Sequence, residues 1–269
     1  MVKERTIFLL SASADIGQAL MERYLTRGDT VIATYRNPDS LDAFRGRPNV
    51  HFLPLDLSDE AQIPSVADYM KQHSLTWDVF VACNGTMEPI GNFFDLDMSE
   101  WSRSIGVNAL RPAHVLQMLY PFRRAGGVSH VAFFAGGGTN NPFRNYSAYC
   151  LSKILLIKLC ELLDDEAPDL NAFIVGPGYV RTKIHDETLR SKSAAGANYK
   201  KTLDFLEAAG SSMDDIFECI EWCIQQGRPV VGGRNISAVH DLWRNGGEQL
   251  AEYLRNDGNR YKLRRQGNA

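Results

Sequence analysis

The sequence predicts an α/β fold in which a doubly wound parallel sheet of about seven strands is covered by helices on both faces. Three observations support this prediction. Short apolar runs recur along the chain, and amphipathic stretches of helical length separate them. The apolar runs suit strands that are buried on both faces. No linker, internal repeat or low-complexity segment divides the 269 residues, so we expect one domain over residues 1–269.

The elements follow from the apolar spacing, taken in chain order. We predict strands over residues 7–10, 31–35, 50–55, 79–83, 128–134 and 171–175, with a possible seventh over 229–231. We predict helices over residues 16–27, 63–73, 99–122 and 147–165. The more polar stretch 183–215 is predicted to be an insertion that covers the carboxyl ends of the strands. Ligands bind at that edge in such sheets.

The bulk composition excludes several classes of protein. The net charge of −3 and pI near 6.1 do not favour binding to nucleic acid or membranes, so we expect a small-molecule partner. The five cysteines form no CxxC motif, and the histidines lack the spacing of metal ligands. The first apolar run is too short for a secretory signal. We therefore expect a cytoplasmic protein without a metal.

Tyr149 and Lys153 are the clearest catalytic pair in the sequence. They stand four residues apart at the start of a predicted helix, so both side chains lie on one face. A free tyrosine has a pKa of about 10, and a nearby ammonium favours the phenolate and lowers that pKa. Tyr146 is followed four residues later by Cys150. We therefore identify Tyr149 as the general acid/base.

The turn after the first strand is a candidate phosphate site. Residues 11–17 join that strand to the first helix, where a helix N-terminus binds anions. Asp15 is expected to cap this helix, in competition with a phosphate for the same amides. Two like charges about 4 Å apart cost on the order of 4 kcal/mol at an effective dielectric of 20. The alternative is an ordinary helix cap in a protein that binds no dinucleotide. The hydroxyls of Ser11 and Ser13 could reach ribose or phosphate.

An ordered set of motifs resembles the short-chain dehydrogenase/reductase family over residues 7–243. The set consists of Asn108, the Tyr149-x-x-x-Lys153 pair and Pro177-Gly178, each in its expected strand or helix context. The resemblance implies a Rossmann-like fold, a nicotinamide cofactor and a homodimer or homotetramer. It implies that Lys153 also holds the nicotinamide ribose and that Asn108, at a helix kink, takes part in a proton relay.

The same resemblance assigns further cofactor residues. In the family's glycine-rich turn Ser11 and Asp15 replace two glycines, Ile16 lies between motif positions, and only Gly17 remains. The other positions implied to bind the cofactor are Tyr35, Arg36, Asp56, Leu57, Asn84, Gly85, Pro177, Gly178, Val180 and Thr182. No acid follows the second strand to hold ribose hydroxyls, and Arg36 suits a 2′-phosphate. NADP(H) is therefore expected in preference to NAD(H).

The family's catalytic serine is missing, because it would fall at Gly136, or at Ala135 if the loop has one extra residue, and neither residue has a hydroxyl. Loss of one oxyanion donor typically lowers the rate by about 10²–10³. The donor could be replaced by Thr139, by a backbone amide of the glycine run, or by a hydroxyl of the substrate. We favour Thr139 or a glycine amide, and so expect an altered enzyme.

Gly136, Phe143 and Arg144 are expected to contact the substrate. Because cations are frequent around them and in residues 183–205, we expect a polar substrate such as a phosphorylated or nucleotide-linked sugar derivative. Residues 232–238, 241–243 and 261–265 also resemble a branch of the family associated with sugar or polysaccharide metabolism. The expected function is NADPH-dependent reduction of a carbonyl, or oxidation of the alcohol. Two alternatives stay open: a non-redox isomerase, epimerase or dehydratase, and a regulatory protein that binds dinucleotide.

Overall fold

A computed structural model describes residues 4–208 and 210–265 of the chain. Its seven strands are β1 Thr6–Leu10, β2 Thr30–Tyr35, β3 Val50–Pro54, β4 Val79–Ala82, β5 Ser129–Phe134, β6 Leu170–Gly176 and β7 Asn235–Ser237. All neighbouring strands are parallel, and they form one sheet in the order β3-β2-β1-β4-β5-β6-β7. The predicted doubly wound, Rossmann-like sheet is therefore confirmed, with its order reversing between β1 and β4.

The α-helices pack on both faces of this sheet. They are α1 Asp15–Thr26, α2 Ser65–Gln72, α3 Met98–Ile105, α4 Arg111–Leu119, α5 Ser147–Glu166, α6 Ile184–Ser191, α7 Ala197–Glu207, α8 Met213–Gln226, α9 Arg228–Val231 and α10 Gly247–Arg255. Successive side chains of β1 enter two different cores: Ile7 and Leu9 pack with α1 on one face, and Phe8 and Leu10 pack with α5 on the other. The uniformly apolar strands are explained by this double burial.

Two predictions about elements need correction. Residues 229–231 belong to helix α9, because Gly227 at φ 69° ends α8 and Pro229 lies in the first turn of a new helix, where proline is tolerated. The seventh strand instead lies over residues 235–237 and pairs with β6. Helices α8 and α10 are absent from the sequence prediction, although Ile216, Cys219, Ile220 and Cys223 recur at helical spacing and are buried.

The long helix predicted over residues 99–122 is interrupted. A π-helical segment, Gly106–Leu110, separates α3 from α4 and contains the buried Asn108. Such segments often mark functional sites, and this one has the form expected of a kink at Asn108. None of the helices in the described part of the chain is both long and apolar enough to span a membrane.

Candidate active site

A cavity of about 1230 Å³ opens at the carboxyl ends of the strands. Because these ends share one edge of a parallel sheet, turns that are far apart in sequence meet there. The predicted site residues that line it are Ser11, Ser13, Asp15, Ile16, Arg36, Asp56, Leu57, Asn84, Gly85, Gly136, Thr139, Phe143, Tyr149, Lys153, Pro177, Gly178, Val180 and Thr182. The cavity therefore gathers most of the predicted cofactor, catalytic and substrate positions in one place.

Four predicted site residues lie outside the lining. A Cβ on Gly17 would come within 2.8 Å of the Cα of Ala12, so this glycine allows close packing of α1 against the turn. Tyr35 packs against the hydrophobic core, and Arg144 is exposed away from the cavity. Asn108 is fully buried behind the lining. Arg144 is thus not placed to contact a substrate in the cavity.

The carboxylate of Asp15 does not cap α1, and this prediction is wrong. The helix begins at Asp15 itself, Ala14 occupies the N-cap position, and no side chain caps the helix. Oδ2 of Asp15 accepts a hydrogen bond from the backbone amide of Lys183 at 2.6 Å, and Oδ1 lies 3.6 Å from the ammonium of Lys183. The acid is drawn toward residue 183, which offers both a donor and a charge. Among residues 4–208 and 210–265, no side chain therefore accepts a hydrogen bond from the first amides of α1.

Ser11 adopts a backbone conformation that favours glycine. Its φ of 59° lies in the left-handed region, which side chains other than glycine seldom adopt. The Ser11 amide donates to Oγ1 of Thr34 at 2.7 Å, which fixes the turn to β2. Ser11 is thus held in a left-handed conformation by a bond to the neighbouring strand.

Two polar side chains that follow β2 and β4 have hydrogen-bonding groups without a partner in the described residues. Arg36 is exposed, lines the cavity, and its guanidinium donates to no residue in the described ranges. Asn84 donates from Nδ2 to the carbonyl of Val107 at 2.8 Å, while its Oδ1 is buried without a partner among the described residues. Because an orphaned buried acceptor is costly, Asn84 indicates that a hydrogen-bond donor is provided by a ligand or by water.

Tyr149 and Lys153 lie together on α5, and both are buried. The Nζ of Lys153 lies 5.5 Å from the centroid of the Tyr149 ring. Burial raises the pKa of Tyr149, and burial lowers the pKa of Lys153 to about 8. The expected lowering of the Tyr149 pKa is therefore not observed. Desolvation is the largest cause of both pKa shifts. It disfavours the charged form of each group, including the Lys153 ammonium that was expected to stabilise the phenolate.

The missing serine has a steric explanation. A Cβ on Gly136 would lie 2.2 Å from the hydroxyl oxygen of Tyr149, so this hydroxyl fills the space that a side chain would need. The hydroxyl of Thr139 donates to the carbonyl of Gly136 at 2.9 Å, so its proton is already engaged. The amides of Gly136 and Gly137 donate to no partner within residues 4–208 and 210–265. Of the two favoured substitutes for the serine, a glycine amide is therefore the one whose proton is still available.

Asn108 acts on the loop after β4. Its Oδ1 accepts from the Thr86 amide at 2.9 Å, and its Nδ2 donates to the Thr86 carbonyl at 2.8 Å. Both functions of the side-chain amide thus clamp one residue of the cavity wall. The role of Asn108 in a proton relay stays a prediction.

One further cavity residue, Glu187 on α6, was not predicted from the sequence. Its Oε2 accepts from the amides of Met87 at 2.5 Å and Glu88 at 3.3 Å, and both carboxylate oxygens contact the hydroxyl of Thr86. Burial raises the pKa of Glu187. The residue was missed because it lies in a polar stretch about which the sequence offered no contact information.

Comparison with known proteins identifies the family. A sequence model of the short chain dehydrogenase family matches residues 5–193. An uncharacterised oxidoreductase of Saccharomyces cerevisiae is 29% identical over 194 residues, covering 66% of this chain and 76% of the relative. The crystal structure of a short-chain dehydrogenase from Streptomyces avermitilis has 30% identity and a TM-score of 0.61, covering 68% of this chain and 69% of its own. A short-chain dehydrogenase of Shigella flexneri, solved with NADP, has a TM-score of 0.72 at 19% identity, covers 88% of this chain and 97% of its own, and resembles it in fold.

Proposed function

Because the chain belongs to the short-chain dehydrogenase family, a family of oxidoreductases, we propose that it uses NADPH to reduce the carbonyl of a polar small molecule, or oxidises the corresponding alcohol. The proposal rests mainly on the turn between β1 and α1, where the helix N-terminus is available to an anion. The N-terminus of α1 lines the cavity without a side-chain cap, and the charge of Asp15 is compensated by Lys183. A helix start of this kind suits a pyrophosphate.

The residues present fit a phosphorylated dinucleotide. The first amides of α1 would hold the pyrophosphate, and the guanidinium of Arg36 would pair with a 2′-phosphate. Asp56 and the orphaned Oδ1 of Asn84 line the same cavity and accept hydrogen bonds. When bound, the cofactor supplies the hydride that reduces the carbonyl carbon.

Tyr149 would supply the proton in that reaction. Its hydroxyl donates to the carbonyl oxygen as negative charge develops there, and the phenolate that remains is stabilised by the Lys153 ammonium beside the ring. The amides of Gly136 and Gly137 would bind the same oxygen in place of a serine. The overall reaction consumes one carbonyl, one NADPH and one proton, and gives one alcohol and one NADP⁺.

We further propose that residues 183–215 form a lid and that the protein is a homodimer or homotetramer. Helix α5 exposes Leu151 by 50% and Leu162 by 48%, which suits a subunit contact. Ile154, Leu155 and Leu159 pack against the chain's own core instead. A sedimentation measurement on the wild type and on Leu151→Lys tests the association.

The direct test is NADPH oxidation with a panel of ketones, compared between the wild type and Tyr149→Phe. We expect micromolar NADPH binding by both proteins and turnover by the wild type alone. Stoichiometric alcohol formation would support the reductase. Conversion of substrate without net NADPH oxidation would support an isomerase, epimerase or dehydratase.

A dinucleotide-binding protein without turnover is the second candidate. It is favoured by the raised pKa of the buried Tyr149 and by the absence of a side-chain hydroxyl at Gly136. This candidate predicts tight NADPH binding and no oxidation of NADPH with any ketone of the panel. Tyr149→Phe would then have no measurable consequence beyond stability.

A further inference from the structure

Glu187 is a half-buried carboxylate in the cavity wall that no cation of the described chain neutralises. The two cations nearest to it in sequence are engaged elsewhere. Lys183 faces Asp15 at 3.6 Å, and Arg190 contacts Glu88 at 3.3 Å. Within the described residues, the hydrogen-bond donors to its carboxylate are two backbone amides and one hydroxyl.

The two oxygens of this carboxylate are not used equally. Oε2 accepts from the amides of Met87 and Glu88, at 2.5 Å and 3.3 Å. The Thr86 hydroxyl lies 3.1 Å from Oε2 and 3.2 Å from Oε1, but it has a single proton to donate. A carboxylate oxygen can accept two hydrogen bonds, so Oε1 retains accepting capacity within the cavity wall.

Glu187 shares its cavity with the catalytic tyrosine. Glu187 accepts a hydrogen bond from the amide of Met87, and the Met87 side chain packs in the same buried cluster as Tyr149. Burial acts most strongly in raising the pKa of Tyr149, and the charge of Glu187 also raises it. Met87 and Phe143 line the cavity too and provide apolar surface. A ligand held between Tyr149 and Glu187 would meet a proton donor at one end and an acceptor at the other.

The geometry points to Glu187 as a substrate-binding residue that accepts a hydrogen bond from a hydroxyl group close to the reacting carbonyl. This inference rests on the proposed function and names its substrate class: uncharged hydroxyketones, and the corresponding diols or polyols. A phosphate group at this position would meet the Glu187 charge without an intervening cation. The phosphorylated substrate expected from the surrounding cations is therefore disfavoured at this end of the cavity.

The variant that isolates this role is Glu187→Gln. The glutamine carbonyl can keep the hydrogen bonds from the two amides, while its NH₂ group replaces the spare acceptor with a donor. Glu187→Ala removes both the hydrogen bonds to the two amides and the spare acceptor. Asp186→Asn is the matched control, because it removes one charge from the neighbouring residue, which also lines the cavity.

Acetoin and butanone are suitable probes because they differ by one hydroxyl next to the carbonyl. We expect the wild type to prefer acetoin in kcat/KM, and Glu187→Gln to reduce that preference about 10-fold to 100-fold, mainly through KM for acetoin. Activity on butanone should fall much less than activity on acetoin, and the melting temperature of Glu187→Gln should change little. Asp186→Asn should keep the preference of the wild type.

Equal use of acetoin and butanone by the wild type would overturn the inference and leave the reductase proposal intact. The inference would also be overturned if Glu187→Gln were as unstable as Glu187→Ala and kept the preference for acetoin, because Glu187 would then have a structural role only. If neither ketone is reduced, calorimetric binding of butanediol and butanol separates the two questions. If Glu187→Gln binds butanediol more weakly than the wild type does, while its binding of butanol is unchanged, the inference is supported. If its binding of butanediol is also unchanged, the inference is rejected. Either result is independent of the proposed reaction.

Discussion

The hydroxyl of Tyr149 lies where a side chain on Gly136 would have to lie, 2.2 Å from the position of an added Cβ. The glycine and the tyrosine are therefore adapted to each other. Replacing Gly136 by the serine that is usual in the family would force the Tyr149 ring to move, since this part of α5 is buried.

We expect Gly136→Ser to lower kcat for NADPH-dependent reduction by about 10-fold or more, although it introduces an oxyanion donor. Steady-state kinetics would measure the effect, with the NADPH dissociation constant as a check on folding. Gly127→Ser is the matched control, because an added Cβ at Gly127 has no neighbour within 4 Å. A gain in kcat for Gly136→Ser would show that the tyrosine moves aside without loss.

The Asp15–Lys183 contact predicts an interaction between two substitutions. Lys183→Met should weaken NADPH binding about 3-fold to 10-fold, because the Asp15 charge then faces the pyrophosphate uncompensated. Asp15→Asn should restore much of the affinity in the double variant. Fluorescence titration of the wild type, the two single variants and the double variant with NADPH gives the coupling free energy between the two substitutions.

Arg190→Met serves as the control for this experiment, since it removes a cation of the cavity wall that pairs with Glu88 instead of Asp15. Additive effects of Asp15→Asn and Lys183→Met would contradict the compensation. The effect of Lys183→Met on NADPH affinity is expected to be modest, because the Lys183 side chain is 77% exposed and its charge is screened by water.

Arg36 should decide the choice between the two nicotinamide cofactors. Arg36→Ala is expected to raise the NADPH dissociation constant about 10-fold to 100-fold by removing a charge-assisted contact, and to leave NADH binding nearly unchanged. Arg45→Ala is a suitable control, because Arg45 is exposed and pairs with Asp42. An equal loss of both cofactors would mean that Arg36 does not bind the 2′-phosphate.

Lys153 should make the stability of the cofactor-free protein depend on pH. Burial lowers its pKa from the ordinary 10.5 to about 8, so the unfolded chain binds more protons than the native state between these values. The free energy of unfolding should therefore rise with pH from about 8 to about 10.5, by up to roughly 3 kcal/mol. Urea unfolding of the wild type and Lys153→Met at several pH values would measure it.

Lys158→Met is the control for that series, since Lys158 lies on the same helix but is partly exposed and pairs with Glu161. It should retain the rise in stability that Lys153→Met lacks. Parallel pH curves for the wild type and Lys153→Met would mean that Lys153 keeps an ordinary pKa in the folded protein.

The sequence predicted those features that depend on local pattern. Apolar runs located six strands, and the rule that parallel strands end at one edge brought Arg36 and Tyr149 to the same cavity. Contacts between distant segments were beyond this reasoning. The partner of Asp15 lies 168 residues away, and Thr86 lies 101 residues from Glu187. A shift of one position in the start of α1 was enough to make the predicted cap wrong.

The bond between Asp15 and Lys183 also constrains how the two segments can be exchanged between relatives. The carboxylate is tolerable in this turn because another segment, 168 residues away, supplies an amide and a charge. A graft of the Asp15 turn alone into a homologue would leave an uncompensated anion at its phosphate site. A graft of the segment around Lys183 alone would bring a lysine without its acceptor. The turn and the segment after β6 are thus expected to be inherited, and to be transferable, as a pair.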